Sequence, residues 1–120
     1  MCNGGVGKVN QVYTLIVIHW LADFVLQTNK MAQNKSKSFK WLSVHVAVYG
    51  LALLIFGPMY AAINACLHFA TDAVTSRLTS YLWQKGDRHN FFIVIGLDQA
   101  LHMICLVSTL PLAVDWLGVL

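Results

Sequence analysis

Among the ionisable side chains inside otherwise apolar stretches of this chain are Asp23, Asp72 and Asp98, with His19, His45, His68 and His102. Each such group near the middle of a bilayer costs about 2.5–3.5 kcal/mol on insertion scales, so ionisable residues at that depth mark function by default. Their spacing is regular. His19 and Asp23, His68 and Asp72, and Asp98 and His102 are each four residues apart, which puts each pair on one helix face, one turn separated. Gln27 extends the first face, Asn64 extends the second, and Gln99 adjoins Asp98.

Imidazole and carboxylate together suit a divalent metal ion, zinc before iron or manganese. A cation among them would neutralise aspartates that have no basic partner in the surrounding apolar sequence. His19, Asp23, His45, His68, Asp72, Asp98 and His102 are thus expected as ligands of one metal, some standing behind others to orient them, or of two metals bridged by Asp. A metal lowers the pKa of bound water to about 7, which makes hydrolysis the default chemistry. The chain contains no Glu, so one of Asp23, Asp72 and Asp98 is left as the catalytic general base. Gln27, Asn64 and Gln99 would orient ligands or bind substrate. The competing account makes each His/Asp pair an interhelical hydrogen-bond clasp, worth about 0.6 kcal/mol on average. Geometry separates the two: a metal site requires all seven side chains in one pocket, whereas clasps would lie apart, each within its own helix pair.

The elements that must position these residues follow from composition. Of 120 residues 58% are hydrophobic and 11% charged, against about 25% charged in ordinary soluble domains. The apolar runs cover about 12–28, 39–56, 58–82 and 91–117, and predict a single all-α domain over 1–120, an integral membrane bundle of about four transmembrane helices. Gly57-Pro58 predicts a tight helical hairpin. The first run carries His19 and Asp23 and has its basic residues mainly after it, unlike a signal peptide. Lys30, Lys35, Lys37, Lys40, Arg77, Lys85 and Arg88 all fall on one side of such a bundle and only Lys8 on the other. That bias predicts a multi-pass protein of the cell inner membrane with both termini non-cytoplasmic.

The basic belt lacks the aromatic interleaving of a nucleic-acid reader, so the lipid bilayer is the expected partner and nucleic acid is not. Lys35, Lys37, Lys40 and Arg88 would attract a lipid-linked or anionic small substrate at the membrane surface. Cys2, Cys66 and Cys105 show no CxxC spacing, and the latter two are expected to pack as small apolar residues. His19-Trp20-x-x-Asp23-x-Val25 and His68-Phe69-x-x-Asp72-x-Val74 form an internal echo, suggesting a pseudo-symmetric site.

The ordered set His19-x-x-x-Asp23-x-x-x-Gln27, Met31-Ala32, Lys35-Ser36, His45, Asn64-x-x-x-His68-x-x-x-Asp72 and Asp98-Gln99-x-x-His102 spans nearly the whole chain. It resembles the small multi-pass membrane proteins catalogued as domain of unknown function 3307, found in bacteria and their phages. That resemblance implies a membrane protein in which these positions matter, and supplies no reaction. The leading expectation is a metal-dependent membrane hydrolase. The alternatives are a metal or proton transport component, a haem protein with His19 and His68 or His102 as axial ligands, and a non-catalytic membrane interaction protein.

Overall fold

A computed structural model of the chain describes residues 3–118, so Cys2 lies outside the described residues. Among them the fold is all helical, without strands. Helix α1 (Asn3–Trp20) runs into a π-helical turn at Leu21–Val25, followed by the short α2 (Asn29–Asn34). Then come α3 (Phe39–Ala52) with a 3-10 turn at Leu53–Phe56, α4 (Pro58–Lys85), α5 (Arg88–Ser108) and a 3-10 turn at Leu110–Leu112.

The long α4 is the centre of the bundle, packing against α3 on one side and α5 on the other. Its buried face comprises Tyr60, Ala61, Asn64, His68, Asp72, Thr75 and Ser76, the three- and four-residue spacing of a helical stripe. That inward stripe is mostly polar. Cys66 lies off it by about half a turn and is exposed, while Cys105 is half-buried, so of the two expected to pack as small apolar residues Cys66 does not. The apolar core gathers at one end of the bundle, where Leu15, Tyr49, Leu53, Phe56, Tyr60 and Leu106 are buried together.

Turn chemistry explains the joints. Gly57 adopts φ of 104°, a backbone region L side chains avoid, and a Cβ there would lie 2.7 Å from Val114 Cγ2. Pro58 then starts α4, where a missing N–H costs nothing. Gly86 closes α4 with φ of 81°. Asp87 caps α5 by accepting from the Asn90 backbone N–H at 3.2 Å and from its side-chain amide at 2.7 Å; these bonds hold its carboxyl below the usual carboxylate range.

Two segments, Phe39–Phe56 and Arg88–Ser108, are long and apolar enough to cross a membrane by length and composition. The sequence suggested four. In α1 the α-helical run is cut at Trp20 by the π turn and opens with Asn3, Lys8, Asn10 and Gln11. In α4 the inward polar stripe and Arg77 dilute 28 residues of helix. The fourth run is also shorter than expected: α5 ends at Ser108, and Leu110-Pro111-Leu112 forms a separate turn, because proline cannot continue the α-helical ladder. The chain then folds back, the Val114 N–H donating to Phe56 O at 2.9 Å.

Candidate metal centre

His45, His68, Asp72, His19, Asp23 and His102 are all buried, and Asp98 sits beside them at 13% side-chain exposure. The six residues of the spaced pairs, and His45 with them, therefore meet in one cluster. The intrahelical pairs are not what closes it. His19 Nε2 is 3.9 Å from Asp23 Oδ2, and the pairs on α4 and α5 stand at 3.5 Å. The shorter contacts cross between helices: His45 Nε2 lies 3.1 Å from Asp23 Oδ1 and 3.0 Å from His68 Nε2.

Four atoms from three segments form the centre: Asp23 Oδ1 from the π turn, His45 Nε2 from α3, and His68 Nε2 and Asp72 Oδ2 from α4. Besides the two short contacts, His45 to Asp72, His68 to Asp23 and His68 to Asp72 each measure 3.5 Å. The remaining separation, between the two carboxylates, falls within 4.8 Å. Ligands at 2.0–2.2 Å around a tetrahedral ion stand about 3.3–3.6 Å from one another, so the five contacts that involve a histidine, at 3.0–3.5 Å, lie at or just below the edge lengths of such a site.

Proton counting points the same way. If the Nε2 to Nε2 contact is a hydrogen bond, one imidazole carries the proton and spends it on the other. If His45 is the donor, its single Nε2 proton serves two acceptors, Asp23 Oδ1 at 3.1 Å and His68 Nε2 at 3.0 Å, and none is left for Asp72 Oδ2. If both carry protons, two N–H groups face each other at 3.0 Å. A cation in the middle satisfies all four lone pairs, so the donor set fits a divalent ion. The outer Nδ1 atoms of His45 and His68 have no hydrogen-bond partner in the structure, although such nitrogens in metal sites usually donate to an acceptor.

His102 completes the cluster. Its ring stacks on His68 at 4.1 Å, and Tyr49 stacks on the other side of His68 at 3.9 Å. Neither ring nitrogen of His102 is hydrogen-bonded. Nε2 lies 3.6 Å from Asp72 Oδ1, and Nδ1 lies 3.5 Å from Asp98 Oδ2 and 3.8 Å from Asp23 Oδ2. Two further groups thus have ligand atoms within 4.8 Å of one another, His19 with Asp23 and His102, and Asp72 with Asp98 and His102.

Access comes from one side. A cavity of about 180 Å³ is lined by Asp23, Asp72, Asp98, Gln27, Gln99 and Lys35, among others, and by none of the histidines. The imidazoles form the closed floor and the carboxylates face the opening. Gln99 ties the mouth together, donating to Asp23 Oδ2 at 3.1 Å and Asp98 Oδ2 at 3.2 Å, while its Oε1 meets His19 Nε2 at 2.8 Å. Gln27 lines the cavity with a buried Oε1 that has no partner. Asn64 lies away from it, donating to Tyr60 O and Thr109 Oγ1.

Several participants were not read from the sequence. Lys35 corrects the expectation that the aspartates lack a basic partner: its Nζ donates to Asp72 Oδ2 at 3.0 Å. Local structure turns it inward. Thr28 Oγ1 accepts the Met31 N–H, the Thr28 N–H meets Met31 Sδ, and Met31 is buried, which pins α2 at its start and leaves Lys35 at its end. Tyr49, whose hydroxyl meets His19 Nδ1 at 3.0 Å, follows His45 by four residues, a signal that was available. Thr75 donates to Asp98 Oδ1 at 2.5 Å. The π turn carrying Asp23, closed by the Leu26 N–H to Leu21 O bond at 2.8 Å, left no sequence trace; such turns concentrate at functional sites. It also breaks the echo between the two His-aromatic-x-x-Asp runs, since α4 is regular through His68 and Asp72.

A family model described as protein of unknown function (DUF3307) matches residues 12–116. The chain belongs to the DUF3307 family. The matched range contains every residue of the cluster. No curated protein and no solved structure matches this DUF3307 chain.

Proposed function

We propose that this protein is an integral membrane bundle of four spans whose buried His/Asp cluster holds a divalent metal, zinc foremost, and hydrolyses a substrate reached from its basic face. The observation that carries the reading is the four-atom set of Asp23, His45, His68 and Asp72, with all the His contacts in it at 3.0–3.5 Å. When bound there, the metal would supply Lewis acidity and an acidified water. The chain's own part is to hold the His68 imidazole by stacking between Tyr49 and His102 and to place Asp98 at the open side. Asp98, outside the four-atom set, lines the cavity and is steadied by Thr75 and Gln99. That makes it the best placed general base.

The membrane assignment draws support from an inverted surface. Tyr13, Trp20, Phe24, Leu51, Val74, Phe92 and Ile104 are exposed, while His, Asp and Asn are buried. Water rewards the opposite arrangement, and large exposed apolar surface marks contact with lipid or protein. The apolar core at Leu15, Leu53, Phe56, Tyr60 and Leu106 closes the end of the bundle beyond the cluster, which disfavours a transport path through one chain. A cavity of about 180 Å³ is also far too small for a haem.

Zinc uptake by the native protein tests the site, and labelling tests the orientation. With the native cysteines replaced, Asn34→Cys in intact cells should resist a membrane-impermeant thiol reagent and react after permeabilisation, because the basic side faces the cytoplasm. Reaction in intact cells would reverse the topology.

A further inference from the structure

Beside the carboxylate mouth lies a second, larger cleft of about 590 Å³ at the basic end of the bundle, bordered by the α2 region and the ends of α4 and α5. The two cavities share Lys35, Ser76 and Thr79. No acidic residue lines the larger one. Ser76 and Thr79 spend their hydroxyl protons on α4 carbonyls, which leaves Lys35, Lys37, Ser36, Ser80, Gln33 and Gln84 as donors. Trp83 and Phe91, packed at 5.0 Å, add an aromatic wall. Both arginines at this end are engaged elsewhere: the Arg88 guanidinium lies 3.5 Å over the Trp83 ring and donates to Trp83 O, and Arg77 lies over Phe39 and donates to Ala73 O.

We propose that this cleft binds a phosphate-type anion, the head of an amphiphile or of a soluble ester, and that Lys35 serves it by exchanging Asp72 for the anion when metal enters. The proposal rests on the metal reading above. Lys35 Nζ occupies Asp72 Oδ2, the oxygen that belongs to the four-atom set. An ammonium and a divalent cation on one carboxylate oxygen repel each other, and Lys35, 19% exposed and lining both cavities, has the cleft to turn into. Several donors spread around a wide space suit a multi-oxygen anion better than a planar carboxylate, and the aromatic wall suits one with an apolar body. Metal and anion then favour each other's binding through Lys35, reciprocally.

Calorimetric titration of detergent-solubilised protein, zinc-loaded and metal-free, tests this with inorganic phosphate, phosphatidic-acid micelles and acetate as probes. The zinc-loaded native protein should bind phosphate or phosphatidic acid at least about tenfold more tightly than the metal-free form, since a hydrogen bond from a charged donor is gained. Lys35→Met should retain zinc, bind it more tightly because a competing cation is gone, and lose the zinc dependence of anion binding. Lys37→Met, at an exposed position, should weaken the anion and leave zinc unchanged. A preference for phosphatidic acid over inorganic phosphate identifies a lipid head; equal affinity identifies a soluble ester. Undiminished phosphate binding in both lysine variants, or equal affinity for acetate, overturns the proposal while leaving the metal site standing. Failure of the native protein to take up zinc removes both.

Discussion

His68→Ala is expected to lose zinc affinity by about 100-fold or more, above the range seen when only an outer partner of a ligand is removed. His68 reaches every other member of the four-atom set. Its Nε2 stands 3.0 Å from His45, and 3.5 Å from both Asp23 and Asp72. Its ring fills the slot between Tyr49 and His102, and truncation should also cost stability, about 3 kcal/mol for emptying a fully packed position. Competition with a chromophoric chelator, at a temperature where the variant is folded, separates the two effects. Unchanged zinc affinity would exclude His68 as a ligand.

Stripping metal from the native protein should lower its melting temperature on the order of 10 °C. A ligand bound only by the folded state at 100 times its Kd contributes about 2.7 kcal/mol, and for a domain of this size each kcal/mol moves the midpoint by several degrees. The physical origin is the crowding of Asp23, Asp72 and Asp98 with Lys35 the one ammonium or guanidinium group bonded to any of them among the described residues. Scanning calorimetry before and after chelation, with zinc re-addition restoring the midpoint, makes the measurement. A midpoint indifferent to chelation in protein shown to have lost metal would return the cluster to the role of a hydrogen-bonded clasp.

The residues of the cluster were legible because four-residue spacing survives any detail of helix packing: His19/Asp23, His68/Asp72 and Asp98/His102 had to share faces, and unpaired Asp in apolar sequence had to turn inward. Hidden from that logic were features set by tertiary contact. The π turn at Leu21–Val25 re-aims Asp23 through one backbone register shift and carries no composition signal. Lys35 sits in a stretch that reads as a solvated basic break, and only the pinned α2 brings its ammonium to Asp72. The helix-ending role of Pro111 was readable, yet the apolar run through Leu117 concealed it. The same polar stripe that made α4 conspicuous as a site also keeps it below the apolarity of Phe39–Phe56 and Arg88–Ser108.

On the reading proposed above, Asp23, His45, His68 and Asp72 together hold a metal ion. Its most direct test is elemental analysis of protein purified in mild detergent without chelator, equilibrated with zinc and then desalted, alongside His68→Ala treated identically. At least about one zinc should be retained per native chain, as four protein ligands in reach of one ion require, and little in the variant. Native protein that emerges free of zinc, or that retains no more than the variant, would contradict it.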